Sequence, residues 1–231
     1  MLQLKSLGDI ASANTWWLRA RHHFAIGPHG NAAHKPVGNL IVLNDDEFAP
    51  HAGFGLHQHT NVEIVSYIHD GTLTHRDDQG NVGTVRAGDV QVMSAGTGIR
   101  HSERNEEDST VRMFQIWLQP NASGGAPTWG YRSFPTAARA GSIVTLASGR
   151  NAEGALPIRA DVEVGGAVLL AGTHTTYTFK RGDAGYLAPS TGAVEVNAVP
   201  VQAREGLVIK NETAISIKAI QDSELVLIVT A

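Results

Sequence analysis

Short apolar runs recur along the whole chain: "GNLIVLNDD", "EIVSYIHDG", "GTVRAGDVQVMSAGTG", "VRMFQIWLQP", "GSIVTLASG", "GAVLLAG", "GAVEVNAVPVQA", "GLVIKN" and "SELVLIVTA". They are mostly of strand length, and Gly, Asn and Asp, the residues that turn a chain, punctuate them at loop positions. β-branched and aromatic side chains dominate them, and such side chains fit a pleated, half-buried surface. With 25 glycines in 231 residues, the pattern predicts an all-β protein of sandwiches or barrels with little helix.

A faint internal repeat divides the chain. "VRAGDVQVM" (85–93) aligns without gaps on "VQAREGLVI" (201–209), and "EIVSYIHDGTLTH" resembles "AGYLAPSTGAVEV" when Gly71 is set against Gly192. Two similar β units are therefore expected, 1–120 and 143–231. Between them, residues 121–142 belong to a segment (119–142) holding three of the nine prolines, and read as a linker. In this register the second unit carries Thr178 and Lys180 in place of His57 and His59, and Ile217 and Ala219 in place of His101 and Glu103.

Ten of the eleven histidines precede residue 102. In "GLHQHTNVE" (55–63), His57 and His59 share one face of a strand about 6.5 Å apart, and Glu63 has the same parity. In "AGDVQVMSAGTGIRHSERN" (87–105), a strand and a Gly-rich turn lead to a second pair, His101 and Glu103. If both pairs face into one small barrel, three imidazoles and a carboxylate converge as a chelating set. The absence of cysteine leaves only nitrogen and oxygen donors. His22, His23, His29 and His34 lie in a loop-like region without partners at matched spacing, so surface or capping roles are expected. His69 and His75 flank a hairpin turn, and strand twist is expected to carry His69 away from the centre. Phe54 and Met93 adjoin the motifs and read equally as pocket lining or core. The four tryptophans read as core or interface aromatics.

HxHxxxE followed by GDVxxMxAGTGIxHSE resembles the two signature motifs of the cupin superfamily, in particular those of the pirin family with its pirin-like quercetin 2,3-dioxygenases. "NDD" (44–46), "GFG" (53–55) and "QIW" (115–117) extend the resemblance. It implies a bicupin: two β-barrel domains of the jelly-roll, double-stranded β-helix type, the first metal-binding and the second degenerate and metal-free. It also implies that His57, His59, His101 and Glu103 hold the metal. Many cupins use the first-motif glutamate, here Glu63, as the carboxylate ligand; the "RHSE" form of pirins favours Glu103. Glu63 is then expected in the outer shell, accepting the free N–H of a ligand imidazole, or as a solvated strand charge. The implied cofactor is one divalent ion, Fe(II) first, with Mn, Ni, Co, Cu or Zn compatible with the donors. The implied reaction is that of a quercetinase: a flavonol such as quercetin meets the ion through its 3-hydroxyl, Glu103 takes the proton as catalytic base, and O2 opens the heterocycle with release of carbon monoxide. The alternatives are a pirin-type metal-dependent regulatory module that binds a protein partner without catalysis, and another cupin enzyme acting on a small molecule.

Net charge is −4 and no run of Lys or Arg exceeds two, which argues against direct nucleic-acid binding. No stretch approaches the ~20 apolar residues of a membrane span, and the N-terminus lacks a continuous apolar h-region. A soluble, cytoplasmic monomer is expected.

Overall fold

A computed structural model describes residues 1–231. The chain forms 22 strands and one 3-10 turn. In chain order the first twelve are β1 (Leu2–Lys5), β2 (Ala11–Asn14), β3 (Leu18–His22), β4 (Leu40–Phe48), β5 (Gly53–His59), β6 (Glu63–Asp70), β7 (Thr72–Asp77), β8 (Val82–Arg86), β9 (Asp89–Ser94), β10 (Ile99–Arg104), β11 (Val111–Leu118) and β12 (Thr128–Ser133). After the 3-10 turn (Thr136–Arg139) come β13 (Val144–Ser148), β14 (Leu156–Pro157), β15 (Val162–Leu169), β16 (His174–Thr178), β17 (Ala184–Thr191), β18 (Ala193–Val196), β19 (Val199–Gln202), β20 (Gly206–Lys210), β21 (Ala214–Ala219) and β22 (Ser223–Thr230). No helix is long and apolar enough to cross a membrane.

Four sheets make two barrels of the cupin type. The first pairs a seven-stranded sheet, ordered β12-β9-β6-β11-β4-β3-β2, with a four-stranded one, β5-β10-β7-β8; the second pairs β1-β20-β17-β22-β15-β13-β14 with β16-β21-β18-β19. The two large sheets each bury one face in a common cluster of 24 residues. Val65, Tyr67, Phe114 and Ile116 enter it from the first barrel, and Val164, Tyr186, Val226 and Ile228 from the second. Alternation then turns the other face of each large sheet toward its own barrel interior.

The sheets do not respect the boundaries read from the sequence. Strand β1, expected in the first unit, hydrogen-bonds to β20 on the edge of the second barrel's sheet. Strand β12, inside the expected linker, pairs with β9 along six residues. Both cover edges that would otherwise expose unpaired backbone groups. Arg139 locks the turn that follows β12: 1% exposed, it donates to the Phe134 carbonyl at 2.7 Å, to the Tyr67 hydroxyl, and to Glu224 of the second barrel at 2.6 Å.

The small sheets repeat each other strand for strand, with one correction to the ungapped register. Tyr177 faces Ile215 as His57 faces His101, and Ile217 pairs with Val196 as Glu103 pairs with His75. The counterparts of the four expected donors are thus Tyr177, Phe179, Ile215 and Ile217, not Thr178, Lys180, Ile217 and Ala219. Connections of different length move the strands by one and two residues, and a slip of one reverses which face a side chain occupies. All four pack in the hydrocarbon core of the second barrel.

Candidate metal centre

The interior of the first barrel is split. Phe48, Ile68, Leu73, Val85, Val111 and Met113 form one apolar cluster, and Val62, Ile64, Met93, Ala95 and Ile99 another. Between them runs a row of polar residues in register across four strands: Gln91 opposite Ser66, Ser66 opposite Gln115, and Gln115 opposite Asn44. All four are buried. Buried polar atoms require partners, and three of these side chains find theirs in Glu103.

Glu103 is 1% exposed. Its Oε1 accepts from Ser66 Oγ at 3.1 Å and from Gln91 Nε2, and its Oε2 accepts from Gln115 Nε2 at 2.6 Å. Each glutamine is oriented in turn by an indole N–H: Trp129 donates to Gln91 Oε1 at 3.1 Å, and Trp117 to Gln115 Oε1 at 3.2 Å. With the amide oxygens so occupied, the amide N–H groups face the carboxylate. Burial nevertheless pushes Glu103 up to about 7, the three donors pulling the other way. Asp46 is buried nearby with neither carboxylate oxygen partnered; burial, then Asp45 and Glu103, push its pKa well up.

Strand pairing brings the imidazoles together. His101 on β10 lies directly opposite His57 on β5, and a bulge between His101 and Glu103 sets the next pair as Glu103 opposite Phe54. Gly53 makes that approach feasible, since at φ 145° any Cβ would sit 2.4 Å from the Glu103 carbonyl oxygen. The Nε2 atoms of His57 and His101 face each other at 3.1 Å, and the donor atoms of His57, His59 and His101 all lie within 4.8 Å of one another. His57 Nδ1–H donates to the Gly55 carbonyl at 2.8 Å, which leaves its Nε2 lone pair aimed at the cluster. Burial, then His57, lowers His59 to about 4; burial, then the neighbouring imidazoles, lowers His101 to about 2. Both are neutral at pH 7 and ready to donate lone pairs. Three lone-pair donors crowded together beside a buried carboxylate fit a divalent cation, whose charge compensates what is otherwise a costly burial.

Of the expected site residues, His57, His59 and His101 come together as a trio. Glu103 stands beside it, its donor atom within 4.8 Å of those of His101 and His75. Glu63 goes elsewhere. Its Oε2 accepts from Ser94 Oγ at 2.6 Å and from the Arg159 backbone N–H at 2.9 Å, and no ligand imidazole is among its partners. The parity argument fails because the chain leaves the small sheet between β5 and β6, and odd positions on β6 face the second barrel with Val65 and Tyr67. The histidines expected at the surface include two buried ones: His23, fully enclosed and 2.8 Å from the Tyr186 hydroxyl, and His22, bonded to Asn44. His75 is also fully buried and pairs with Asp77 at 3.1 Å. The polar row went unread in the sequence, although Ser66 between Ile64 and Ile68, and Gln115 between Met113 and Trp117, break an apolar alternation.

Residues 6–118 match the family model described as Pirin, and residues 145–228 match that described as Quercetinase C-terminal cupin domain. A "Pirin-like protein" of Caulobacter vibrioides is 49% identical over 229 residues, covering 99% of each chain. A "Quercetin 2,3-dioxygenase" of Escherichia coli is 34% identical over 228 residues, covering 98% of this chain and 97% of its own. The crystal structure of the bacterial pirin YhhW from Escherichia coli in complex with nickel(II) superposes with a TM-score of 0.93 at 32% identity, covering 100% of this chain and 99% of that one.

Proposed function

The chain belongs to the pirin family, and on that premise we propose that its first barrel holds one divalent ion, iron(II) foremost, and cleaves flavonols with O2. His57, His59, His101 and Glu103 would hold the ion. The observation that carries this reading is the convergence of three imidazoles next to a buried carboxylate that has room for one more partner on Oε2. The name of the Escherichia coli relative supplies the substrate class, and the nickel(II) complex of YhhW supports a site tolerant of several ions.

Bound there, the ion would supply Lewis acidity toward a phenolic hydroxyl and coordination positions beyond its protein donors. The remaining work falls to the side chains. Glu103 takes the proton of the flavonol 3-hydroxyl on Oε2 once that oxygen swings off the ion, serving as general base beside the substrate. Gln115 and Gln91 keep that carboxylate in place through their oriented amides. Phe54, 5.9 Å from His57, and Trp117, 4.9 Å from His59, give apolar walls for a flat aromatic substrate. The test is elemental analysis together with oxygen uptake and carbon monoxide release on adding quercetin. One ion per chain with equal amounts of O2 consumed and CO formed is expected; a fully loaded protein that consumes no O2 with any flavonol overturns the catalytic reading.

A pH effect follows from Glu103. Raised to about 7, it is mostly protonated at pH 6 and ionised at pH 8.5, so an ion that takes its oxygen must displace a proton only at the lower pH. Titration calorimetry in buffers of different ionisation enthalpy should find that wild type releases about one proton more than Glu103→Gln at pH 6. The difference should vanish at pH 8.5. Equal release at both pH values would remove Glu103 from the ligand set.

A further inference from the structure

We propose that Tyr131, Trp129 and His75 form an electron path between the protein surface and the ion held at His101, so that a one-electron partner can change the ion's redox state without entering the site. The proposal rests on the metal reading above, with iron as the ion.

Four rings lie in sequence. The Tyr131 and Trp129 centroids are 5.5 Å apart, those of Trp129 and His75 are 4.5 Å apart at an interplanar angle of 9°, and those of His75 and His101 are 5.4 Å apart. Tyr131 is 48% exposed and His101 1%, so the row runs from solvent to the most enclosed of the three clustered imidazoles. Tyrosine and tryptophan are the side chains most readily oxidised by one electron, and they occupy the outer two places. Strand β12 carries both at the edge of its sheet, where a partner can approach.

The stack is built, not incidental. Gly83 lies opposite His75 in the β7–β8 pairing, and a Cβ there would sit 2.2 Å from Cη2 of Trp129. Its backbone φ is not in the left-handed region, so this glycine serves to admit the indole. Three constraints then hold the ring: the gap at Gly83, the face of His75, and the hydrogen bond from Nε1 to Gln91. His75 is held by Asp77. Packing alone explains a half-buried tryptophan, but it does not explain an exposed tyrosine continuing the row from an edge strand.

Electrons balance as follows. An external oxidant takes one electron from Tyr131, whose phenolic proton passes to water. Trp129 refills Tyr131, which regains its proton, and Trp129 is refilled across the His75 ring from iron(II), which becomes iron(III). The net change is one electron from the ion to the oxidant.

The test uses the full chain, loaded with iron(II), and a ruthenium(III) polypyridyl oxidant generated by a laser flash. Ferric iron is followed by freeze-quench electron paramagnetic resonance, and tyrosyl and tryptophanyl radicals by transient absorption. Wild type should give a fast ferric phase, and metal-free protein should give longer-lived radicals. Trp129→Phe and Tyr131→Phe should each lose the fast phase, as should Gly83→Ala, which keeps every oxidisable ring and only displaces the stack. Tyr177→Phe, in the second barrel, should retain it. Should Gly83→Ala fail to fold, the two phenylalanine variants still decide. Ferric iron formed at the wild-type rate in Trp129→Phe overturns the path. If wild type binds no iron, elemental analysis reports this before the flash, and the metal reading falls with it.

Discussion

His101→Ala should abolish metal binding and activity while leaving a folded chain. His101 is the most enclosed of the three clustered imidazoles and the one donor common to both histidine-rich groups in the barrel. Loss of an outer-shell partner alone lowers metal affinity by about 10- to 100-fold, so loss of this donor should exceed that range. The readout need not be turnover. Free metal at a hundred times its dissociation constant should stabilise wild type by about 2.7 kcal/mol, and the variant should gain nothing in a thermal-shift titration. Metal-free wild type and metal-free variant should both unfold cooperatively, because neither apolar cluster of the first barrel depends on this side chain. Glu63→Gln is the control: its partners are Ser94 and Arg159, so metal content should not change. A variant that keeps its ion, or that unfolds outright, would count against the site.

Arg139→Leu should produce the largest loss of stability outside the barrel interiors. The guanidinium satisfies a carbonyl from its own segment, a hydroxyl from the first barrel and a carboxylate from the second. Removing it leaves the Glu224 carboxylate, only 20% exposed, with no compensating charge and the Tyr67 hydroxyl as its remaining donor, and Tyr67 itself loses a donor. Breaking a buried pair from one side costs roughly 3 to 5 kcal/mol, and the partial exposure of Glu224 favours the lower end. Urea denaturation should therefore show a lower midpoint at unchanged slope. The double variant Arg139→Leu/Glu224→Leu should recover much of the loss, since a buried pair replaced by hydrocarbon leaves no charge uncompensated. A single variant as stable as wild type would mean that the junction is held by apolar contact alone.

The strand-rich plan and the shared face of His57 and His59 could be read from the sequence because they rest on short-range signals. Alternation places His57 beside His59, and the turn-bounded apolar runs mark the strands. What depends on which strand lies beside which was hidden. Glu63 has the right parity within its own stretch but the wrong face once the chain crosses to the large sheet. Gln91, Ser66 and Gln115 lie far apart in sequence and become one row only through the order β9-β6-β11. The same limit explains the second barrel, where an ungapped comparison named Thr178 and Lys180 although Tyr177 and Phe179 occupy the equivalent positions. Likewise, a Pro-rich stretch reads as a linker until its partner strand is known, and β12 acquires its role only beside β9.

The edge strand β1 carries a consequence for biosynthesis. Leu2 pairs with Ile209 and Lys5 with Gly206, so β1 can dock only once β20 has been made. Until then that edge of the second barrel's large sheet lies open, and closing so wide a loop comes late.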